Sequence, residues 1–537
     1  MAPREVVARV ERTPSHREPD RAPVLPFVPG EVGNGEFVPG PPTARDRWIV
    51  RETLARSERA AAAVGMERRR FLQSVGGMAA MLAVINTACA STGDGSAAPS
   101  TGPGTSAGST STTGSVTTTG PGGTYDVPPA TELEACATEL GSQGEFIVDI
   151  HTHHVMPDGP WRQIAPEIEA MLAPLAPRTC AEGDPLRCLD RQAYVRDIFL
   201  GSDTAVTMLS DVPNSGDDDA PVPFADKITT YDFVASLGEP GRPRALVHSV
   251  IAPNFGPLQQ SLDEMTRQVE TGKVAAFKFY SAWGPGQQGY ELDDPALGIP
   301  VIEHARSLGV NVIAGHKGLP IVGFDANHNG PRDLVALAAR YPDMDFVVFH
   351  SAFERATIEA PYDPAQARTG INSMVKAMDD VGLPPNSNVW ADLGTGWREV
   401  MGDPTAAAHL LGKLLARVGE DRVLWGTDAV WFGSPQPQIM AFRAFQITAE
   451  FQDRFGYPEL TPEIKAKVLG LNAATLLGLD PNDRWCGVDA ARFEEAKATY
   501  AGMHDAGELV DPWRPQGPLT RRQVLSWLRR EPAYTPF

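Results

Sequence analysis

Eight short apolar runs, alternating with stretches of helical character, constrain this chain more than any other feature. They fall at 146–150, 205–209, 245–252, 274–280, 310–315, 346–349, 389–393 and 423–426, and amphipathic stretches such as 295–307, 332–340, 405–418 and 437–449 lie between them. Parallel strands need crossover connections, which helices usually supply. Strand–helix units repeated eight times predict a closed (β/α)8 TIM barrel over residues 145–480. A doubly wound open sheet is the rival, but its first strand would lead into a Gly-rich phosphate turn. The first strand here runs instead into His151-Thr152-His153-His154.

The placement of polar residues also favours the barrel. Active sites of such barrels are assembled from strand C-terminal ends, and these ends carry His151 and His153, Asp211, His248, Lys278, His316, His350, Asp392 and Asp428. Side chains two apart on a strand share a face, so His151 and His153 can grip one ion. Zinc and similar divalent metals take imidazole nitrogen and carboxylate oxygen, and a catalytic ion keeps one position open for water. His151, His153, His316 and Asp428 supply three imidazoles and one carboxylate. An ion held there would lower the pKa of water toward neutrality and generate a nucleophile. His350 faces the same mouth, where it could polarise a carbonyl or shuttle a proton. His154 falls out of phase with the pair and is expected to support it from behind, while His248, Asp211 and Asp392 could orient ligands through outer hydrogen bonds.

No Gly-x-Ser-x-Gly elbow follows any of the eight apolar runs, which argues against serine hydrolysis. The His151-Thr152-His153 pair, Ala314-Gly315-His316, Val348-Phe349-His350 and Leu424-Trp425-Gly426-Thr427-Asp428 precede a closing helix with Val468-Leu469-Gly470, Asn472-Ala473 and Leu476-Leu477. With these motifs the chain resembles the amidohydrolase-related family, metal-dependent barrel hydrolases and decarboxylases of the aminocarboxymuconate-semialdehyde decarboxylase type. The resemblance implies one divalent ion, usually zinc, with His151, His153, His316 and Asp428 as ligands. It also implies that Asp428 doubles as general base and that His350 assists the substrate. Lys278, in Phe277-Lys278-Phe279-Tyr280, stands where some amidohydrolases bridge two metals with a carboxylated lysine; otherwise it pairs with an acid or a substrate carboxylate.

Three functions follow as expectations. The first is hydrolysis of an amide, ester or lactone, and the second is nonoxidative decarboxylation of an aromatic or unsaturated acid with the same ligands. The third is an exported barrel that binds a small molecule without turnover. Aromatic residues after the strand ends, Trp161, Tyr280, Trp283, Phe353, Trp397, Trp431 and Phe432, suit a small carbonyl substrate in a pocket with apolar walls. A net charge of −20 argues against nucleic acid as a partner.

The ends read differently from the barrel. Residues 1–65 look like a disordered leader, although a helix is expected around 48–62. Arg68-Arg69-Arg70-Phe71-Leu72 and the uncharged run after it, within 66–90, resemble a twin-arginine signal, which implies export through the Tat machinery. The chain could start at Met1 or at Met66. Ala88-Cys89-Ala90 fits a cleavage site, and Thr87-Ala88-Cys89 fits a lipidation box that would tether the protein to a membrane through Cys89; an uncleaved anchor is a third option. Residues 91–125 read as a flexible Gly/Ser/Thr linker. Outside the cytoplasm disulfides are permitted. Cys180 with Cys188 and Cys136 with Cys486 are one pairing, and free buried thiols are the alternative. Residues 481–537 are expected to pack on the barrel.

Overall fold

Val148–Thr152 (β2), Val206–Leu209 (β3), Ala245–Val250 (β4), Val274–Phe279 (β5), Val312–His316 (β6), Asp345–Phe349 (β7), Val389–Asp392 (β8) and Val423–Leu424 (β9) form one sheet in that order, and every neighbouring pair is parallel. A parallel bridge from Thr152 to Ala429, with hydrogen bonds from Ile150 to Trp425 and from Asp428 to His151, brings the last strand back to the first. The (β/α)8 barrel expected from the sequence is therefore the fold. This architecture comes from a computed structural model, which describes residues 25–33, 39–90, 121–176, 184–236, 244–320, 323–355, 359–365, 367–481, 488–505, 521–522 and 525.

Strand alternation divides the core. Phe346 and Val348 of β7, Val389 and Ala391 of β8 and Val423 of β9 join the apolar residues of surrounding helices, among them Leu334, Met374 and Leu411. Their neighbours Val347, Phe349, Trp390 and Leu424 join a second cluster with Val148, Val206 and Met208. The period-2 switch of side chains explains why each strand feeds both. Strand ends fall within two residues of the expected limits for β6 (Val312–His316) and β2 (Val148–Thr152), which puts His316 and His151 inside strands rather than just after them.

The described part of the N-terminal region is helical and packed. Helix Ala44–Ala63 covers the helix expected near Trp48 and is started by a capping box between Thr43 and Asp46. Helix Val75–Ala90, the apolar core of the expected signal, buries Met78, Met81, Leu82, Val84 and Ile85 in the same cluster as the barrel helices. The Asn86 side chain bonds both backbone groups of Tyr125, at 2.8 and 2.9 Å. Tyr125 lies on Gly123–Tyr125 (β1), which pairs antiparallel with Phe445–Ile447 (β10). The described part of the expected leader thus packs on the barrel, because its apolar side chains find a surface there. A helix that is apolar on all sides suits a buried position as well as a signal core. Among the described residues no helix is long and apolar enough to cross a membrane.

An ordered stretch also precedes these helices. Leu25, Phe27 and Val32 are buried, and Val32 packs on Phe432, just beyond β9. Cys136 corrects the expected Cys136–Cys486 pairing: it is a free, buried thiol whose Sγ meets the Pro129 carbonyl at 3.5 Å. Cys188 is disulfide-bonded. Cys180 and Cys486 lie outside the described residues, as does the linker over 91–120. In the C-terminal extension, helix Val488–Asp505 rests against Val195–Leu200, with Lys497 3.8 Å from Asp203.

Candidate active site

β2 delivers His151, His153 follows just past its end, and the turn after β9 delivers Asp428. All three are at most 3 % exposed. One oxygen of Asp428, Oδ1, lies 3.2 Å from His153 Nε2 and 3.5 Å from His151 Nε2. One ligand atom from each of these residues can be chosen so that all lie within 4.8 Å of one another. A second such grouping, His151, His350 and Asp392, shares His151 with the first. Asp392 is already committed, since its Oδ2 meets His151 Nδ1 at 2.9 Å and accepts from the His350 backbone at 3.0 Å, while its Oδ1 accepts from Gly394. It orients His151, and a carboxylate behind a metal-binding histidine is the usual way of fixing the ring.

The hydrogen bonds set the tautomers. His316 Nε2 faces the Leu319 carbonyl at 3.0 Å and His350 Nδ1 faces that of Gly394 at 3.0 Å, so each of these nitrogens carries the proton. The remaining nitrogens, His316 Nδ1 and His350 Nε2, then point lone pairs at each other across 3.2 Å. His151, with Nδ1–H directed at Asp392, aims its Nε2 lone pair at the Asp428 carboxylate. Lone pairs and a carboxylate converging on one buried volume repel one another unless a cation sits among them. The donor set therefore fits a divalent ion. His316 belongs to neither ligand grouping, and its open nitrogen faces His350 instead.

Burial dominates the electrostatics. It drives His151, His316 and His248 well below the usual imidazole range and pushes His350 down to about 4, so these rings are neutral at pH 7. It also pushes Asp392 up to about 7 and Asp149 up to about 8. Asp428 is the exception. Burial would raise its carboxyl too, but the hydrogen bonds of His153 and Thr395, with the electrostatic pull of the neighbouring His153 and His350 rings, hold it below the usual carboxylate range.

The other residues singled out in the sequence take varied positions. Lys278 is fully buried, its Nζ 4.2 Å from the Phe349 ring centre and 5.0 Å from that of Tyr280, and its charge acts on His151, His153, His316 and His350. His154 turns away from the pair, with Nε2 3.0 Å from Thr230 and its ring edge-on to Tyr194. Asp211 lies 3.6 Å from Lys227 and is pushed up to about 6 by burial. It reaches the site through its backbone carbonyl, which accepts from Tyr280, and the Tyr280 ring stacks on His316. His248 packs edge-on against Phe349 and leaves Nδ1 buried without a partner.

Sequence reasoning gave no role to Asp149, Thr427 or Thr395. Asp149 accepts from the backbones of His151 and Thr427, both at 3.1 Å, and from the Thr427 hydroxyl, tying the first strand to the turn that carries Asp428. An acid two residues before His151, in phase with it, was the available signal. Trp431 stacks on His153 with ring centres 5.3 Å apart.

A family model described as Amidohydrolase matches residues 148–479, which span the whole barrel and every candidate ligand. The chain belongs to the amidohydrolase family. Family members are metal-dependent enzymes, in keeping with the donor set of this amidohydrolase. No curated protein matches the sequence. Among solved structures, the amidohydrolase is similar to an uncharacterized TIM-barrel protein, Bb4693 from Bordetella bronchiseptica, at 13% identity and a TM-score of 0.38, covering 62% of this chain and 98% of that one. It is similar to 5-carboxyvanillate decarboxylase LigW from Sphingomonas paucimobilis at 13% identity and a TM-score of 0.37, covering 62% and 99%. It is also similar to 2,6-dihydroxybenzoate decarboxylase, in complex with 2,6-dihydroxybenzoate, at 15% identity and a TM-score of 0.36, covering 63% and 99%.

Proposed function

We propose that this amidohydrolase hydrolyses an amide, ester or lactone with the help of one divalent ion, zinc, held by His151, His153 and Asp428, with His316 as the fourth ligand. The convergence of the two Nε2 atoms on Asp428 Oδ1, inside a site whose remaining lone pairs face one another, is the observation that carries this reading. A bound ion supplies Lewis acidity toward a carbonyl or toward water. The rest falls to the chain. Asp428, ionised because its carboxyl is held low, accepts a proton from the attacking water and passes it to the leaving group. His350, with its Nδ1 proton committed to Gly394, offers Nε2 as an acceptor, so it serves as a base or proton relay more readily than as a carbonyl polariser. Trp431 fixes the plane of the His153 ring.

Decarboxylation is the second reading, and Lys278 favours it. A buried ammonium beside the histidines suits a substrate that brings its own carboxylate, whereas ester or lactone hydrolysis has no need of that charge. Carbon dioxide release from 2,6-dihydroxybenzoate and related aromatic acids, compared with hydrolysis of simple esters and lactones, separates the two. If metal-loaded protein turns over neither set, and Asp428→Asn behaves as the parent does, the enzyme reading falls and a small-molecule-binding barrel takes its place.

A further inference from the structure

Asp428 divides its two oxygens between different tasks. Oδ1 faces His151 and His153, and Oδ2 accepts a hydrogen bond from the Thr395 hydroxyl at 2.6 Å. Thr395 is fully buried and sits at φ +54°, ψ −43°. A β-branched residue at positive φ is costly and persists only where its surroundings impose it. Those surroundings are visible on both sides. Before it, Gly394 is packed so closely that a Cβ would lie 2.4 Å from His151 Nδ1 and 2.7 Å from Asp392 Oδ2. After it, Thr395 leads into helix Gly396–Val400, where the buried Trp397 indole donates to Gln438 and Arg398 donates to Val28. On the same helix, Glu399 accepts from the Val32 backbone and meets Arg355 at 3.3 Å. The hydroxyl is thereby held in place by the barrel on one side and by the ordered N-terminal stretch on the other.

We propose that Thr395 is a positioning residue for the metal-binding carboxylate. By fixing Oδ2, its hydroxyl sets the carboxylate plane so that Oδ1 presents to the ion, and the strained backbone is what brings the hydroxyl there. This rests on the metal-site reading above. Hydrogen-bonded partners behind a metal ligand typically contribute about tenfold or more to metal affinity.

Zinc titration of the full-length protein against a competing chelator tests it, with thermal unfolding of the metal-free forms as the check on folding. Thr395→Val, which keeps the β-branch and removes the hydroxyl, is expected to weaken zinc binding about tenfold, and Thr395→Ser, which restores the hydroxyl, to bring it back to within about twofold of the parent. Two results overturn the proposal: Thr395→Val binding zinc as the parent does, or Thr395→Ser binding as weakly as Thr395→Val. A parent that takes up no zinc at all overturns the metal-site reading itself, and the proposal with it.

Discussion

Replacing Leu82 by alanine tests whether helix Val75–Ala90 is part of the folded unit. Leu82 has no exposed surface and lies in the cluster that also holds Met78 and Ile85 of its own helix and the apolar faces of the barrel helices. The helix rests on Ala44–Ala63, Leu133–Leu140, Pro404–Lys413 and Gln436–Ala444, so the truncated side chain would leave a gap between several elements with no single neighbour able to fill it. Three carbon atoms are removed, a transfer loss of about 2.4 kcal/mol at about 0.8 kcal/mol for each. The cavity brings the total to about 3–4 kcal/mol, within the range of buried Leu→Ala substitutions. Urea unfolding of the full chain should show the midpoint falling with the slope unchanged. Thr87→Ala, at an exposed position on the same helix, should stay within about 0.5 kcal/mol of the parent. If Leu82→Ala is no more destabilising than Thr87→Ala, the helix is not part of the cooperative unit. Export with cleavage near Ala88-Cys89-Ala90 is the opposing proposal, under which a chain starting after residue 90 keeps the parent's midpoint.

Asp428→Asn should lower turnover by about two orders of magnitude or more, through loss of the proton acceptor, and elemental analysis should show its metal content fall below one ion per chain. Stripping the ion with a chelator should lower the melting temperature, and zinc should restore it; a ligand present at about a thousand times its dissociation constant contributes about 4 kcal/mol. An unchanged melting temperature would argue against a bound ion. Glu399 is pushed up to about 7 by burial, against the pull of Arg355 and Arg398. Its folded state therefore holds a proton more tightly than the unfolded chain. Its contribution to stability is complete below about pH 4.5 and is lost as the pH rises toward 7. Subtracting the stability profile of Glu399→Gln from that of the parent should expose this fall, and a flat difference between pH 4 and 8 would refute it.

The barrel was legible because its signal is repeated. Eight apolar runs with polar ends leave few architectures open, and a strand misplaced by two residues, as at Val148–Thr152, does not disturb the count. The ligand pair was legible for a related reason: the i, i+2 spacing of His151 and His153 fixes their common face whatever the exact strand limits. Thr395 left no such trace. Its role depends on a positive φ and on a helix tied down by residues 28 and 32, more than 360 positions away in sequence. Helix Val75–Ala90 shows the opposite difficulty, a strong pattern with two meanings. Arg-Arg-Phe-Leu before an uncharged apolar run reads as a signal, and the same run packs its apolar side chains against the barrel helices.

The site itself shows where residue type stops being informative. Four histidines and an aspartate at strand ends announce a metal, but the sequence cannot say which nitrogen of each ring is open. That choice is made by the carbonyls of Leu319 and Gly394 and by the Asp392 carboxylate, each of which captures one ring N–H. Their effect is to turn the His151, His316 and His350 lone pairs inward. Two of these captors sit on the segment from Asp392 to Gly394, directly before Thr395. One short stretch after β8 thus orients His151 and His350 on one side and Asp428 on the other. Disturbing that stretch should therefore weaken metal binding more than an equal disturbance at His154 or Asp211, whose side chains are bonded to Thr230 and Lys227 instead.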